Sequence, residues 1–334
     1  MQADPNNDPR GEERLAWARE ALGDPGACLV RASVDAGFRS YWRSEGTATS
    51  HIVMDSPPDR EDVRPWLRIR DLLEAGGVRV PRVHARDVER GFLLLEDLGT
   101  NTLLQVIGDD NADAMFDAAI DQLLALQAIA APADLPAYDE TMLARELRLF
   151  DEWFLGRHLG IALDCGAMET LDLAYRRLID AALAQPRVLV HRDFMPRNLM
   201  PAGGDGLAVL DFQDAVAGPI AYDPLCLFKD AFRSWPQARV DAWLDRYHAR
   251  ATAAGLPLPP LARFRRDADW IGIHRHLKVI GIFARLHHRD GKSKYLADVP
   301  RFFAYLDEVL PNYPEMAPLR ELIELRVKPA MAGA

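Results

Sequence analysis

The chain has 334 residues, 49% of them apolar and 27% charged, with a formal net charge of -10. The length calls for two lobes around separate cores, and the acidic balance argues against a broad cationic face for nucleic acid. Three scattered cysteines, Cys28, Cys165 and Cys226, support neither a disulfide framework nor a cysteine zinc site.

Met1–Arg14 is polar and lacks an apolar signal core, and residues 1–10 read as disordered. Glu12–Leu22 reads as a helix; Cys28–Ser33 and Ser50–Met54 read as strands, with a turn over Val34–Tyr41 between them. Arg60–Ala75 follows as a helix stopped by Gly76-Gly77, then strands at Val83-His84 and Phe92–Leu95. From Thr100 the pattern turns helical. Phe116, Ile120, Leu123 and Leu124 form an amphipathic stripe, repeated over Glu140–Phe154 and Met168–Leu183. Short apolar runs at Val188–Val190 and Leu207–Leu210 read as strands, and Trp235–Val327 as helices broken by prolines at 256–260. The longest apolar candidate, Met115–Ala131, is interrupted by Asp117, Asp121 and Gln127, too polar to cross a bilayer. These features predict a cytoplasmic protein with no membrane or nucleic-acid partner. The expected fold is α+β and bilobal: a small β-rich lobe over residues 1–98 and a larger helical lobe over 99–334.

The strongest chemical signal is His191-Arg192-Asp193-Phe194-Met195-Pro196-Arg197-Asn198, followed by Leu210-Asp211-Phe212. Its spacing, H-R-D-x-x-x-x-N and then a strand ending in Asp, suits phosphoryl transfer. A carboxylate must orient the attacking hydroxyl, and oxygen ligands must hold magnesium against the phosphates. Asp193 is the candidate base, with Asn198 and Asp211 the candidate metal ligands.

This segment resembles the aminoglycoside-phosphotransferase branch of the protein-kinase-like superfamily, and the resemblance covers most of the chain. Within that branch, Tyr41-Trp42, Val53–Pro58, Leu94–Gly99, His191–Met200 and Leu277–Leu286 resemble the anomeric kinases of N-acetylmuramate and N-acetylglucosamine, which serve peptidoglycan recycling. The resemblance implies ATP as donor, Mg2+ as cofactor, and a sugar 1-phosphate as product. Other hydroxyl acceptors, such as an aminoglycoside, choline, homoserine or another sugar, fit the same loop, because fold does not fix substrate.

The nucleotide side departs from the usual pattern. The turn Asp35–Ser40 has one glycine, Gly37, where a phosphate-covering loop normally has three. Backbone N–H groups from Gly37 to Ser40, Phe38 among them, and the Arg39 side chain are the candidate phosphate contacts; the alternative is an ordinary hairpin turn. The next strand offers Met54 where a phosphate-binding lysine is expected, with Glu61 the next carboxylate. The resembling sugar kinases share this departure, which is also the one support for a non-catalytic nucleotide-binding regulator. In the linker Leu94–Gly99, the resemblance assigns adenine contacts to the Glu96 carbonyl and the Leu98 N–H.

Around 270–286 an otherwise apolar helix carries Arg275, Lys278 and Arg285 within a sector of ~80°. Either these cations pair with buried carboxylates or one of them meets an anionic acceptor. Arg145, Glu146 and Arg197 are further acceptor candidates, Trp153 either core or a sugar platform, and Asp214 either an acceptor contact or a turn cap. Asp223, before Pro224, either caps the next helix or braces the catalytic loop.

Overall fold

A computed structural model describes residues 10–34 and 38–333 of the chain. Residues 1–9 and the turn residues Asp35, Ala36 and Gly37 lie outside the described residues, so the expected disorder of the N-terminus concerns them; Arg10 is described. In chain order the elements are α1 (Gly11–Leu22), β1 (Cys28–Val34), β2 (Ser40–Glu45), β3 (His51–Asp55), α2 (Arg64–Ala75), β4 (Val83–Asp87), β5 (Phe92–Glu96) and α3 (Leu103–Val106). Then come α4 (Ala112–Ala128), α5 (Glu140–Leu149), a π-helical segment (Phe150–His158), α6 (Cys165–Leu183), β6 (Arg187–Val190), β7 (Leu199–Pro201), β8 (Leu207–Val209) and β9 (Val216–Pro219). The larger elements that follow are α7 (Tyr222–Phe228), α8 (Gln237–Ala253), α9 (Leu261–Asp290) and α10 (Val299–Val309).

The chain divides into two compact units: Met1–Val106 with Arg197–Gln213, and Ile107–Pro196 with Asp214–Ala334. This differs from a single cut at 98/99. The hairpin β7–β8 joins the first unit because the Val209 N–H donates to the Arg79 carbonyl at 2.7 Å and Phe212 packs on Trp66 with ring centroids 5.1 Å apart. A sequence-local reading could not see those long-range bonds.

The first unit is built on an antiparallel sheet in the order β1-β2-β3-β5-β4. Side chains alternate across it. Trp42, Val53, Phe92 and Leu94 face α1, where Trp17 and Ala18 close a small core. Arg14 and Arg10 of that same layer clamp the buried Asp55 at 2.8 and 3.0 Å. The register sets Tyr41 opposite Met54 and Met54 opposite Leu93, on the other face. The β4–β5 turn requires Gly91: φ is 74°, and a Cβ there would fall 1.9 Å from the Ser56 carbonyl oxygen. β2 occupies the end of the stretch expected to be a turn.

In the second unit, α9 runs for 30 residues and is buried on nearly all sides from Trp270 to Ala284, as the largely apolar run there requires. It approaches α5 so closely at Gly281 that a Cβ there would lie 2.3 Å from the Leu149 carbonyl carbon. At the next residue α5 gives way to the π-helical segment, where the sequence suggested unbroken helix to Phe154. The two expected strands at 188–190 and 207–210 do not pair with each other: β6 pairs with β9, and β8 pairs with β7. Among the described residues no helix is long and apolar enough to cross a membrane.

Candidate active site

The H-R-D segment leaves β6 in the second unit, and its backbone is gripped from within. Asp223 is fully buried and accepts the N–H of His191 at 2.7 Å and of Arg192 at 3.0 Å. Of its two sequence readings, bracing the loop is the one realised. Burial pushes the Asp223 carboxyl up to about 7, against the pull of those two N–H donors. Arg192 has φ 75°, unusual for a bulky residue, and its guanidinium pairs with Glu146. Asp193 is exposed at the tip of this held loop, with its N–H 3.3 Å from His191 Nδ1.

Glu146 is the hub behind the loop. It is buried, accepts the Tyr138 hydroxyl, and meets Lys278 Nζ at 2.9 Å as well as Arg192. Burial alone would raise its carboxyl, but Lys278, His274 and Arg192 outweigh that and hold it at about 2. Lys278 also donates to the Tyr222 hydroxyl at 3.1 Å. Arg275 is 1% exposed and donates to the Lys229 carbonyl at 3.3 Å. Burial works against its charge; Cys226, Tyr222, Asp193 and Asp230 outweigh it and raise the guanidinium further. For Arg275 and Lys278 this enclosure favours the structural alternative over direct contact with an acceptor. Glu146 is likewise committed to protein partners. Arg145 and Asp214 are exposed, Arg285 is half-buried, and Trp153 is half-buried under the Arg157 guanidinium, 4.5 Å from its ring centroid.

The first unit contains a cavity of about 350 Å³, within the range of small-ligand sites. Ile52, Leu95, Trp66 and Phe212 give it apolar walls; Glu96 to Thr100 form one edge, and Arg197, Asn198 and Asp211 another. The Leu98 N–H has no hydrogen-bond partner among the described residues. The acidic side chains of this linker are not merely solvated. Glu96 is paired with Arg79, and Asp97 accepts from Arg43 at 2.6 and 2.9 Å. Asn198 and Asp211 are tied together through the backbone, Leu210 N–H donating to the Asn198 carbonyl at 2.8 Å. Asp211 has φ 63°, and its Oδ1 accepts from Gln213 Nε2 at 2.8 Å. Among the described residues Arg192 and Asp211 are the two non-glycine positions with positive φ, and both fall in the motif. Arg197, expected on the acceptor side, lines this cavity instead.

The remaining nucleotide-side residues are dispersed. Gly37 lies outside the described residues. Phe38 is 61% exposed, with the Arg60 guanidinium 5.7 Å from its ring centroid. Ser40 points to the α1 face, where its Oγ accepts from Trp42 Nε1 at 2.9 Å. Met54 is fully buried on the opposite face of the sheet. Arg39 Nε stands 2.9 Å from Glu61 Oε1, an ion pair. Asp223 and Tyr138 are the loop supports that sequence reasoning underweighted or missed; Tyr138 carries no sequence signal at all.

An H-R-D loop braced in this way in the second unit, and in the first an Asn–Asp pair on a hairpin lining a cavity edged by Glu96 to Thr100, suit a phosphotransferase, and the chain belongs to the phosphotransferase enzyme family, whose model matches residues 29–264. It is 52% identical over 330 residues to an N-acetylmuramate/N-acetylglucosamine kinase of Pseudomonas putida, covering 96% of this chain and 97% of that one. A protein of the same name from Neisseria meningitidis is 42% identical over 313 residues, covering 92% and 93%. In fold the chain is similar to an ADP-bound aminoglycoside phosphotransferase (TM-score 0.60, 15% identity, 88% of this chain and 97% of that one). It is also similar to the choline kinase LicA of Streptococcus pneumoniae (TM-score 0.62, 14% identity, 89% and 99%).

Proposed function

We propose that this phosphotransferase is a cytoplasmic, ATP- and Mg2+-dependent kinase of N-acetylmuramate and N-acetylglucosamine that phosphorylates the anomeric hydroxyl, in cell-wall recycling. The observation that carries the reaction class is the intact Asp193, Asn198 and Asp211 set on a loop and hairpin held by buried partners. The relatives named for these two sugars, at 42% and 52% identity over nearly the whole chain, support the acceptor.

The donor set fits the cofactors. A planar base suits the apolar walls of the cavity, and the unpaired Leu98 N–H suits a ring nitrogen. Asn198 and Asp211 offer hard oxygen atoms, the ligand type magnesium prefers. When bound, magnesium neutralises charge on the phosphates, and the nucleotide supplies the γ-phosphoryl group.

The chain's own residues do the rest. Asp193 accepts the proton of the anomeric hydroxyl as its oxygen bonds to phosphorus and the bond from phosphorus to the leaving diphosphate breaks. Asp223 and Glu146 hold that carboxylate in position by fixing His191 and Arg192, so little of the binding energy is lost to reorganisation. Arg39, oriented by Glu61, serves as the phosphate cation in place of a lysine at Met54. This pair supports the catalytic reading over a non-catalytic regulator. The test is a screen of sugars with ATP, following ADP release and product regiochemistry by phosphorus NMR. Phosphorylation of both N-acetylated sugars at the anomeric position is expected; turnover confined to an aminoglycoside or choline would overturn the acceptor assignment.

A further inference from the structure

Apart from the residues of the H-R-D motif and its supports, the second unit carries a cluster that the kinase reaction does not use. His158 ends the π-helical segment, and His287 and His288 lie in the last turn of α9. One ligand atom from each of the three comes within 4.8 Å of the other two. His158 Nδ1 and His288 Nε2 are 3.3 Å apart. We propose that these three imidazoles form a transition-metal site, taking Zn2+ or a similar imidazole-preferring divalent ion, which staples the end of the π-helical segment to the end of α9.

The geometry suits that ion. Imidazole nitrogens bound at about 2.0–2.1 Å to a tetrahedral zinc stand roughly 3.3 Å apart, the spacing already present between His158 and His288. His287 Nδ1 lies 2.9 Å from Ser293 Oγ. With the proton on Nδ1 directed to that hydroxyl, Nε2 keeps its lone pair, the outer-shell arrangement common to metal-bound histidines. All three rings are half-buried or exposed, so water can fill the fourth position.

The electrostatics are mixed but permissive. Two helical C-termini meet here, and their partial negative charge favours a cation. Burial and the neighbouring rings, His288 and then His287, hold His158 below its ordinary value; burial, His287 and Arg157 do the same for His288. Both rings are therefore neutral ligands at physiological pH. Opposing the cation are Arg157, Arg285 and Arg289, of which Arg289 is neutralised by Asp290 at 2.7 Å. This balance predicts a site of moderate affinity. Soft or borderline ions with a preference for imidazole should fill it, and magnesium should not.

The π-helical turn gives the staple a structural purpose. It starts where Gly281 brings α9 against Leu149, and it ends at His158. His158 instead stacks on Phe154, ring centroids 5.6 Å apart, and faces His288.

The test uses tag-free, full-length protein in magnesium-saturated buffer, so that oxygen-ligand sites are already occupied. Calorimetric titration with Zn2+ should give one site per chain with micromolar affinity, and Co2+ should give the visible absorption of a nitrogen-ligated four-coordinate ion. His158→Gln and His288→Asn should each weaken Zn2+ binding about 100-fold, and Ser293→Ala, acting through His287, about 10-fold. Zinc should raise the melting temperature of the wild type and not of the histidine variants, because only the folded arrangement assembles the ligands. His288 is exposed, so its variant should fold, and its metal-free melting temperature verifies this. Absence of micromolar binding in the wild type, or equal binding in His288→Asn, would overturn the site. Neither outcome touches the kinase assignment, which rests on other residues.

Discussion

Arg39 and Glu61 form an ion pair, Nε to Oε1 at 2.9 Å, in the unit whose β3 position for a lysine holds the fully buried Met54. Arg39 is the residue before β2, and Glu61 lies in the segment before α2, so the first unit holds a cation–carboxylate pair although no lysine stands at Met54.

If Arg39 contacts the phosphates, Arg39→Met should lower kcat/KM for ATP roughly 10- to 150-fold, the equivalent of ~1.5–3 kcal/mol for a charged hydrogen bond. Glu61→Gln should cost only about 2- to 5-fold, since it loosens the guanidinium without removing it. Initial rates at varied ATP decide the matter; an unchanged ATP dependence in Arg39→Met removes the residue from the site.

Asp193→Asn should reduce turnover by ~10²–10⁴ and leave nucleotide affinity near the wild-type value, because the carboxylate acts on the acceptor proton. Equilibrium nucleotide binding beside steady-state rates provides the check. Retention of more than about a tenth of the turnover contradicts the base assignment.

Asp211→Ala should abolish the enhancement of nucleotide binding by magnesium, and Asn198→Ala should reduce it in part, since both supply oxygens to a hard cation. Nucleotide titrations with and without magnesium measure this. An enhancement equal to that of the wild type in Asp211→Ala would exclude it as a ligand.

Asp223→Ala leaves the buried N–H of His191 and the N–H of Arg192 without their acceptor. An unsatisfied buried donor costs about 1–3 kcal/mol, so the melting temperature and kcat should fall together. Asp223→Asn keeps one acceptor oxygen and should lose less of both. Wild-type stability in Asp223→Ala would show that the loop holds its shape without the brace.

Glu146 and Lys278 carry a pH signature. The Glu146 carboxyl is held at about 2, against an ordinary value of 4.5. Between these values the unfolded chain binds a proton that the folded chain does not, so stability rises with pH across that window. The contribution is complete above 4.5 and lost as pH falls toward 2. In chemical denaturation the gap between wild type and Glu146→Gln should accordingly narrow on acidification. Lys278→Met should lower the melting temperature and reduce kcat/KM on N-acetylmuramate and N-acetylglucosamine alike. A selective loss on N-acetylmuramate, at unchanged stability, would instead put Lys278 against that sugar's carboxylate.

The sequence alone determined the chemistry and the class of fold. H-R-D-x-x-x-x-N followed by a strand-ending Asp is a local pattern, and its spacing carries the requirement for a base and two oxygen ligands within one short stretch, Asp193 to Asp211. Helices such as α1, α6 and α9 were legible because apolar periodicity records which face is buried. Tertiary structure alone decided the rest, because those features depend on residues far apart in the chain. Only the first two residues of β2 fall in the stretch expected as a turn, and the sequence reading assigns no strand there; its pairing with β1 and β3 makes it one. Pairing of β6 with β9 depends on a partner that no local window contains. The enclosure of Arg275 and Lys278, the grip of Asp223 on His191, and the meeting of His158 with His288 across 130 positions likewise arise only when packed helices bring the side chains together. A charge on a buried helix tells the reader that a partner exists; only the packed structure names it.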